Sequence, residues 1–223
     1  MSGPSHRSFA GASAVAVLLT FAPHPAQAQA KPSKVELSAV VNWIGGFDMA
    51  TADALEFDRA GNGVATFSTD GRLEGTFGYG GRMGFALTDR LAAEGSVVYS
   101  APTLTIDVAD DIEGAAAASA SERIHQYAID GAALYYLRSR GARTRPFLLG
   151  GAGYLRELHE GQTLGANGQT YFGGGGIVRT LSGSKVRLAL RVDARVVART
   201  KGIALDGDLH LAPVASGSLI FGF

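Results

Sequence analysis

The chain has 223 residues, 31 of them glycine, with no cysteine and a formal net charge of zero. That length holds one domain plus a targeting segment. The glycines follow no repeat of three and so exclude a collagen-like chain; the lack of cysteine excludes disulfides and thiolate metal sites; and a neutral chain exerts no electrostatic pull on nucleic acid, which is not expected as a partner.

The N-terminus reads as a signal peptide over residues 1–30. His6 and Arg7 make a weakly basic start, and Phe9 to Phe21 is a run of apolar and small residues. Pro23 and Pro25 break that run, and two overlapping A-x-A sites follow, placing cleavage after Ala28 or Ala30. The run is shorter than the roughly 20 apolar residues of a spanning helix, and no later segment approaches one. A membrane position for the remaining domain, 31–223, therefore requires strands.

From Val35 onward the apolar residues recur with period two, the strand period. Eight segments are expected as strands: Val35 to Ile44, Leu73 to Leu87, Leu91 to Tyr99, His125 to Leu137, Pro146 to Glu157, Gln169 to Arg179, Val186 to Ala198 and Leu211 to Phe223. They are close to the roughly 9–11 residues of a tilted spanning strand. Short connections (Thr88 to Arg90, Arg138 to Arg145, Thr180 to Lys185) alternate with longer ones, read as loops: Gly45 to Arg72, Ser100 to Arg123, Leu158 to Gly168 and Arg199 to His210. Short turns on one side and long loops on the other is the organisation of outer-membrane barrels.

Alternation sorts each strand into two faces. In the seventh strand Leu188, Leu190, Val192 and Val196 oppose Arg187, Arg191, Asp193 and Arg195; in the second, Leu73, Phe77, Tyr79, Met83 and Phe85 oppose Glu74, Arg82 and a row of glycines. A soluble barrel would turn the apolar face inward, but the aromatics favour the inverse. Trp43, Tyr99, Tyr127 and Phe172 fall at the long-loop end, and Phe85, Tyr135, Phe147, Phe221 and Phe223 at the short-turn end. Two such bands are the girdles of a membrane barrel. The fold class expected is therefore all-β: an eight-stranded antiparallel up-and-down transmembrane β-barrel. Its lumen would carry Glu36, Glu74, Glu94, Asp130 and Asp193 with Arg82, Arg156, Arg179, Arg187, Arg191 and Arg195, and glycines at 78, 80, 84, 150, 173 and 175 would leave them room. An interior this narrow favours packed ion pairs; the alternative is an ion-selective pore.

The last strand ends SGSLIFGF, with Leu219, Phe221 and Phe223 alternating back from a terminal phenylalanine. This resembles the C-terminal signal read by the outer-membrane barrel assembly machinery, and the whole exported chain resembles the small OmpA/OmpX-type superfamily of bacterial outer-membrane β-barrels. The resemblance implies a location in the outer membrane, contact with its lipid and lipopolysaccharide, and the assembly machinery as a partner during biogenesis. It implies no substrate. With no peptidoglycan-binding domain after the barrel, that activity is not expected.

Chemistry is sparse. His125, His159 and His210 lie at the long-loop end near acids, but a hydrolase needs a serine beside a base with an oriented acid behind it, and no such motif surrounds them. The long loops are acidic, with Asp48, Asp53, Glu56, Asp58 and Asp70 in the first and Asp107, Asp110, Asp111 and Glu113 in the second, yet their spacing fits no calcium loop. The run Gly173 to Gly176 lacks the lysine and helix of a phosphate loop. No catalytic, cofactor or metal residue is assigned. The expected function is a structural or surface-interaction barrel, with a narrow channel and a lipid-active enzyme as alternatives, and an external ligand that the sequence does not name.

Overall fold

The computed structural model describes residues 34–49, 52–57, 63–109, 118–159, 165–183, 187–201 and 209–223. The expected signal peptide lies outside them, as do Asp58, Asp110, Asp111 and Glu113. The chain forms β1 (Val35–Ile44), β2 (Phe47–Asp48), β3 (Ala52–Phe57), β4 (Gly63–Leu73), β5 (Thr76–Ala86), β6 (Leu91–Ser100), β7 (Thr103–Ala109), β8 (Ala118–Tyr136), β9 (Thr144–His159), β10 (Gly165–Gly183), β11 (Arg187–Lys201) and β12 (His210–Gly222).

Eight of these close into a barrel. The order round the wall is β5-β1-β12-β11-β10-β9-β8-β6, and β6 returns to pair with β5. Every pairing is antiparallel. Closure is demanded by the solvent, since lipid satisfies no backbone N–H or C=O and tolerates no open sheet edge. The seam joins the chain's two ends: Leu37 sits opposite Phe221, and the N–H of Phe223 donates to the Val35 carbonyl at 3.0 Å.

The first two long connections are not loops. β3, β4 and β7 build outward on the first part of β8, with Thr103 opposite Arg123 and Val108 opposite Ala118. Their sequences, GVATFSTDGRL and TLTIDVA, carry the β-branched alternation that suits a strand. Leu73, Leu104 and Ile124 bury themselves on one side of this outer sheet, with Phe47 and Met49 against them. Leu73 thus belongs to β4 and not to the lipid-facing row, and Glu74 lies exposed between β4 and β5, outside the lumen. The alanine–serine run reaching Ser121 joins the extended part of β8 from Ala118 onward.

Facing follows the polar residues on six of the eight barrel strands. On β1, β5, β6, β8, β11 and β12 the apolar parity is exposed and the polar parity is buried: Val41, Tyr79, Val97, Ile129, Val192 and Leu211 point out, while Asn42, Arg82, Ser96, Gln126, Arg191 and Ser216 point in. β9 and β10 reverse the expected parity. Phe147 and Phe172 are buried in the lumen, whereas Leu148, Tyr154, Tyr171 and Ile177 face out. The long-loop girdle is therefore Trp43, Phe77, Tyr79, Tyr99, Tyr127, Tyr154 and Tyr171, with Tyr99 tilted against Tyr79 and Tyr127 at ring-centroid distances of 5.5 and 5.2 Å. Phe85, Tyr135, Phe221 and Phe223 keep the other band.

Placing a charge on the exposed side of β11 tests this facing. Val192→Arg is expected to destabilise the barrel in lipid by roughly 2–4 kcal/mol, measured by reversible denaturant unfolding in bilayers; stability equal to wild type would contradict an outward Val192.

Candidate functional site

The lumen gathers most of the chain's buried charge. Its central tier is built by β5, β6 and β11. The Arg82 guanidinium donates to Asp193 Oδ2 at 3.0 Å and approaches Glu94 at 3.9 Å, with Asn42 Oδ1 accepting a further contact at 3.5 Å. Arg191 donates to Glu94 at 2.5 Å and to Asp193 at 2.9 Å. β6 and β11 stand four steps apart round an eight-strand wall, so the Arg191–Glu94 pair joins diametrically opposite strands.

Further tiers lie on either side. Towards the short turns, Glu36 on β1 faces Arg145 at 3.6 Å and Arg187 at 3.9 Å, and Arg187 also donates to Thr180 Oγ1 at 2.9 Å. β1 and β9 are again opposite strands. Towards the long loops, Asp130 accepts from Ser96 and Thr170, both at 3.4 Å, and meets Arg195 at 3.9 Å. Above it a buried chain runs from Ser100 to Gln126 to Glu157, and Arg199 donates to the same Glu157 at 2.6 Å. The aromatics that turned inward stack under cations: Arg191 lies 4.6 Å from the Phe147 ring centroid and Arg195 4.9 Å from that of Phe172. Buried charge needs such partners, since an isolated ion would be strongly destabilising there.

Glycine makes the space. A β-carbon at Gly153 would collide with the Asp130 carboxylate and stand 2.8 Å from Thr170 Oγ1. One at Gly176 would meet Asp193 Cβ at 2.7 Å. The inward glycines are 78, 80 and 84, as expected, but 151, 153, 174 and 176 replace 150, 173 and 175, because β9 and β10 present the other parity.

The structure thus brings Glu36, Arg82, Glu94, Asp130, Arg187, Arg191, Asp193 and Arg195 into one interior. It leaves out Glu74, and it leaves out Arg156 and Arg179, which share the outward parity of Tyr154 and Ile177. It adds Arg145 and Arg199, which fell in the expected connections, and Gln126 and Glu157, which lay near the ends of the expected fourth and fifth strands. Among the described residues Arg145 is the largest fully buried side chain, and its guanidinium nitrogens have no hydrogen-bond partner there. The Glu36 carboxylate and the Tyr136 ring, 4.4 Å from its guanidinium carbon, hold it instead.

The histidines do not converge. His125 pairs with the Tyr99 hydroxyl at 2.7 Å, His159 with Glu122 at 3.1 Å, and His210 stacks on Phe47 at 5.0 Å. Of the loop acids, Asp48 is bound by Arg72 at 2.9 Å, and no metal-ligating cluster of three or more residues occurs among the described residues.

A closed wall, an apolar exterior between aromatic bands and a charge-filled interior define a bacterial outer-membrane β-barrel. The chain belongs to the outer membrane protein beta-barrel domain family, whose model matches residues 13–208, and its location is the outer membrane. Among solved structures it resembles Neisserial surface protein A, with a TM-score of 0.53 and 11% identity over 85% of this chain and 97% of that one. It also resembles the outer membrane protein OprG of Pseudomonas aeruginosa, with a TM-score of 0.49 and 13% identity over 88% of this chain and 97% of that one. No curated protein matches the chain in sequence.

The two arginines of β9 test the reversed parity. Arg145→Ala is expected to cost about 3–5 kcal/mol, because Glu36 loses a buried partner, whereas Arg156→Ala on the exposed face should stay within about 0.5 kcal/mol. Equal losses in bilayer unfolding would restore the opposite facing.

Proposed function

We propose that this chain is a non-conducting structural barrel that holds the outer sheet at the cell surface, without catalytic activity. One observation carries the reading: ion pairs between diametrically opposite strands, Arg191 to Glu94 and Arg145 to Glu36, cross the lumen. An ion entering from outside would have to displace the Arg199–Glu157 pair, then the Arg195–Asp130 pair, then the central tier.

Between the upper and central tiers lies a cavity of about 60 Å³, lined by Asn42, Gln126, Asp130, Arg195 and Arg199 among others. It has room for a few waters at about 10–15 Å³ each, and Asn42 Nδ2 and Arg195 Nε are polar atoms with no protein partner among the described residues. The cavity lies between the upper and central charged tiers and is lined by both polar and apolar side chains. The side chains that bound it supply the specific geometry a narrow channel would have to break.

The purified protein in a planar bilayer is expected to show no steady conductance, while replacing both central cations, Arg82→Ala with Arg191→Ala, should produce brief leak events if the variant inserts. A large, stable, ion-selective current from wild type would overturn the closed-lumen reading and make the chain a channel.

A further inference from the structure

The outer wall carries a second feature that the closed lumen does not use. A groove of about 710 Å³ runs over β1, β5, β6 and β8 on the exposed side, walled by Leu37, Met83, Val97 and Ile129 and reaching down to Phe85 and Phe221 of the short-turn band. Its floor is low because Gly81 and Gly95 have no side chains. These glycines differ from those of the lumen. A β-carbon at Gly81 would find its nearest neighbour, Ser38 O, at 3.7 Å, and one at Gly95 would find Asp130 O at 4.0 Å, both ordinary contacts. Backbone packing does not require glycine at either position, so the depression itself is what their absence of a side chain creates.

Along β8 the exposed parity climbs from Ile129 in the groove to Tyr127, His125 and Arg123. Tyr99, two residues beyond Val97 on β6, packs on Tyr127 and holds His125 through its hydroxyl at 2.7 Å. Arg156 of β9 stands opposite Tyr127 in the pairing register. Alternation separates the signs here. Arg123, His125 and Arg156 take the outward parity, while Glu122 and Glu157 take the inward one, occupied by His159 and by Arg199. Among the described residues neither Arg123 nor Arg156 forms an ion pair. Among the described residues, the first acid of outward parity on the β7 side is Asp107, opposite Ser119 and so four residues farther out along β8.

An apolar slot that starts below the long-loop girdle, with cations spaced along the same wall from the girdle to the surface end, matches an amphiphile with an acyl chain and an anionic head. Arginine is suited to phosphate by its planar fork of donors, and tyrosines at the girdle sit at headgroup depth. We propose that this face is a binding site for the phosphorylated glycolipid of the outer leaflet, with an acyl chain in the groove over Gly81 and Gly95 and a phosphate held by Arg123 and Arg156 beside His125. The proposal rests on the outer-membrane location and not on the closed lumen, so a conducting barrel would leave it standing.

The test uses the refolded full barrel in detergent, with lipid A as the probe and native mass spectrometry as the readout. The heat-dependent gel shift of a folded barrel serves as the folding check. The double variant Arg123→Gln, Arg156→Gln is expected to lose affinity for lipid A roughly 10- to 100-fold, the equivalent of one or two charge-assisted hydrogen bonds. Arg90→Gln with Arg138→Gln removes the same charge at the opposite rim and should leave binding unchanged. Gly81→Leu with Gly95→Leu fills the groove and should weaken lipid A while sparing a deacylated, phosphorylated headgroup. Equal binding by wild type and the Arg123, Arg156 variant would overturn the site. Phosphatidylglycerol bound as tightly as lipid A would overturn its assignment to the glycolipid, and unchanged binding by the glycine variant would overturn the acyl slot.

Discussion

The constraint on which everything else depends is that lipid forms no hydrogen bonds with backbone. A wall of strands in a bilayer must close on itself, and closing eight of them leaves an interior about as wide as the side chains that point into it. Alternation then assigns half of every strand to lipid and half to that interior. Once the apolar half is committed outward, the polar half has nowhere else to go. The buried set of Arg82, Glu94, Arg191 and Asp193 is thus a consequence of closure, and its mutual pairing is the condition under which closure is stable.

This inverts the usual relation between core and surface. Exterior side chains such as Val41, Phe77 and Val192 are exposed on the isolated protein, and their stabilisation comes from the bilayer. The interior is held by charge and by cation–ring contacts, such as Arg191 on Phe147 and Arg195 on Phe172. Close approach matters more there than hydrophobicity. Gly153 and Gly176 are inward positions where a single methyl would displace an acid or its neighbours, whereas Gly81 and Gly95 on the exterior leave a depression in an otherwise apolar wall.

The legible parts of the sequence were those where the two faces of a strand differ chemically. β11 alternates leucine and valine with arginine and aspartate, and its facing follows directly; β1, β5, β6, β8 and β12 behave alike. β9 and β10 do not, because PFLLGGAGYLRE and QTYFGGGGIVR are apolar or glycine on both parities. There the rule that aromatics face lipid and arginines face the lumen misplaced Phe147, Phe172, Arg156 and Arg179. Aromatic rings also serve as partners for buried guanidinium groups, and arginines near strand ends reach the interface from the outside. Arg145 and Arg199 were lost to expected connections, since a strand extended past the bilayer looks like a polar loop. The outer sheet carried a readable signal, the threonine–valine alternation of β4 and β7, that the turn-rich residues around it obscured.

The central claim is that strands which are not neighbours in the wall are energetically tied across the lumen through charge. A double-mutant cycle on Arg82 and Asp193, whose side chains are each only 1% exposed and 3.0 Å apart, measures that tie most directly. Unfolding free energies in bilayers for wild type, Arg82→Met, Asp193→Asn and the pair should show a coupling of about 1–3 kcal/mol, as contacting residues in one buried network do. Additivity within about 0.5 kcal/mol would mean that β5 and β11 do not hold each other across the lumen, and the account of a lumen closed by its own ion pairs would fail.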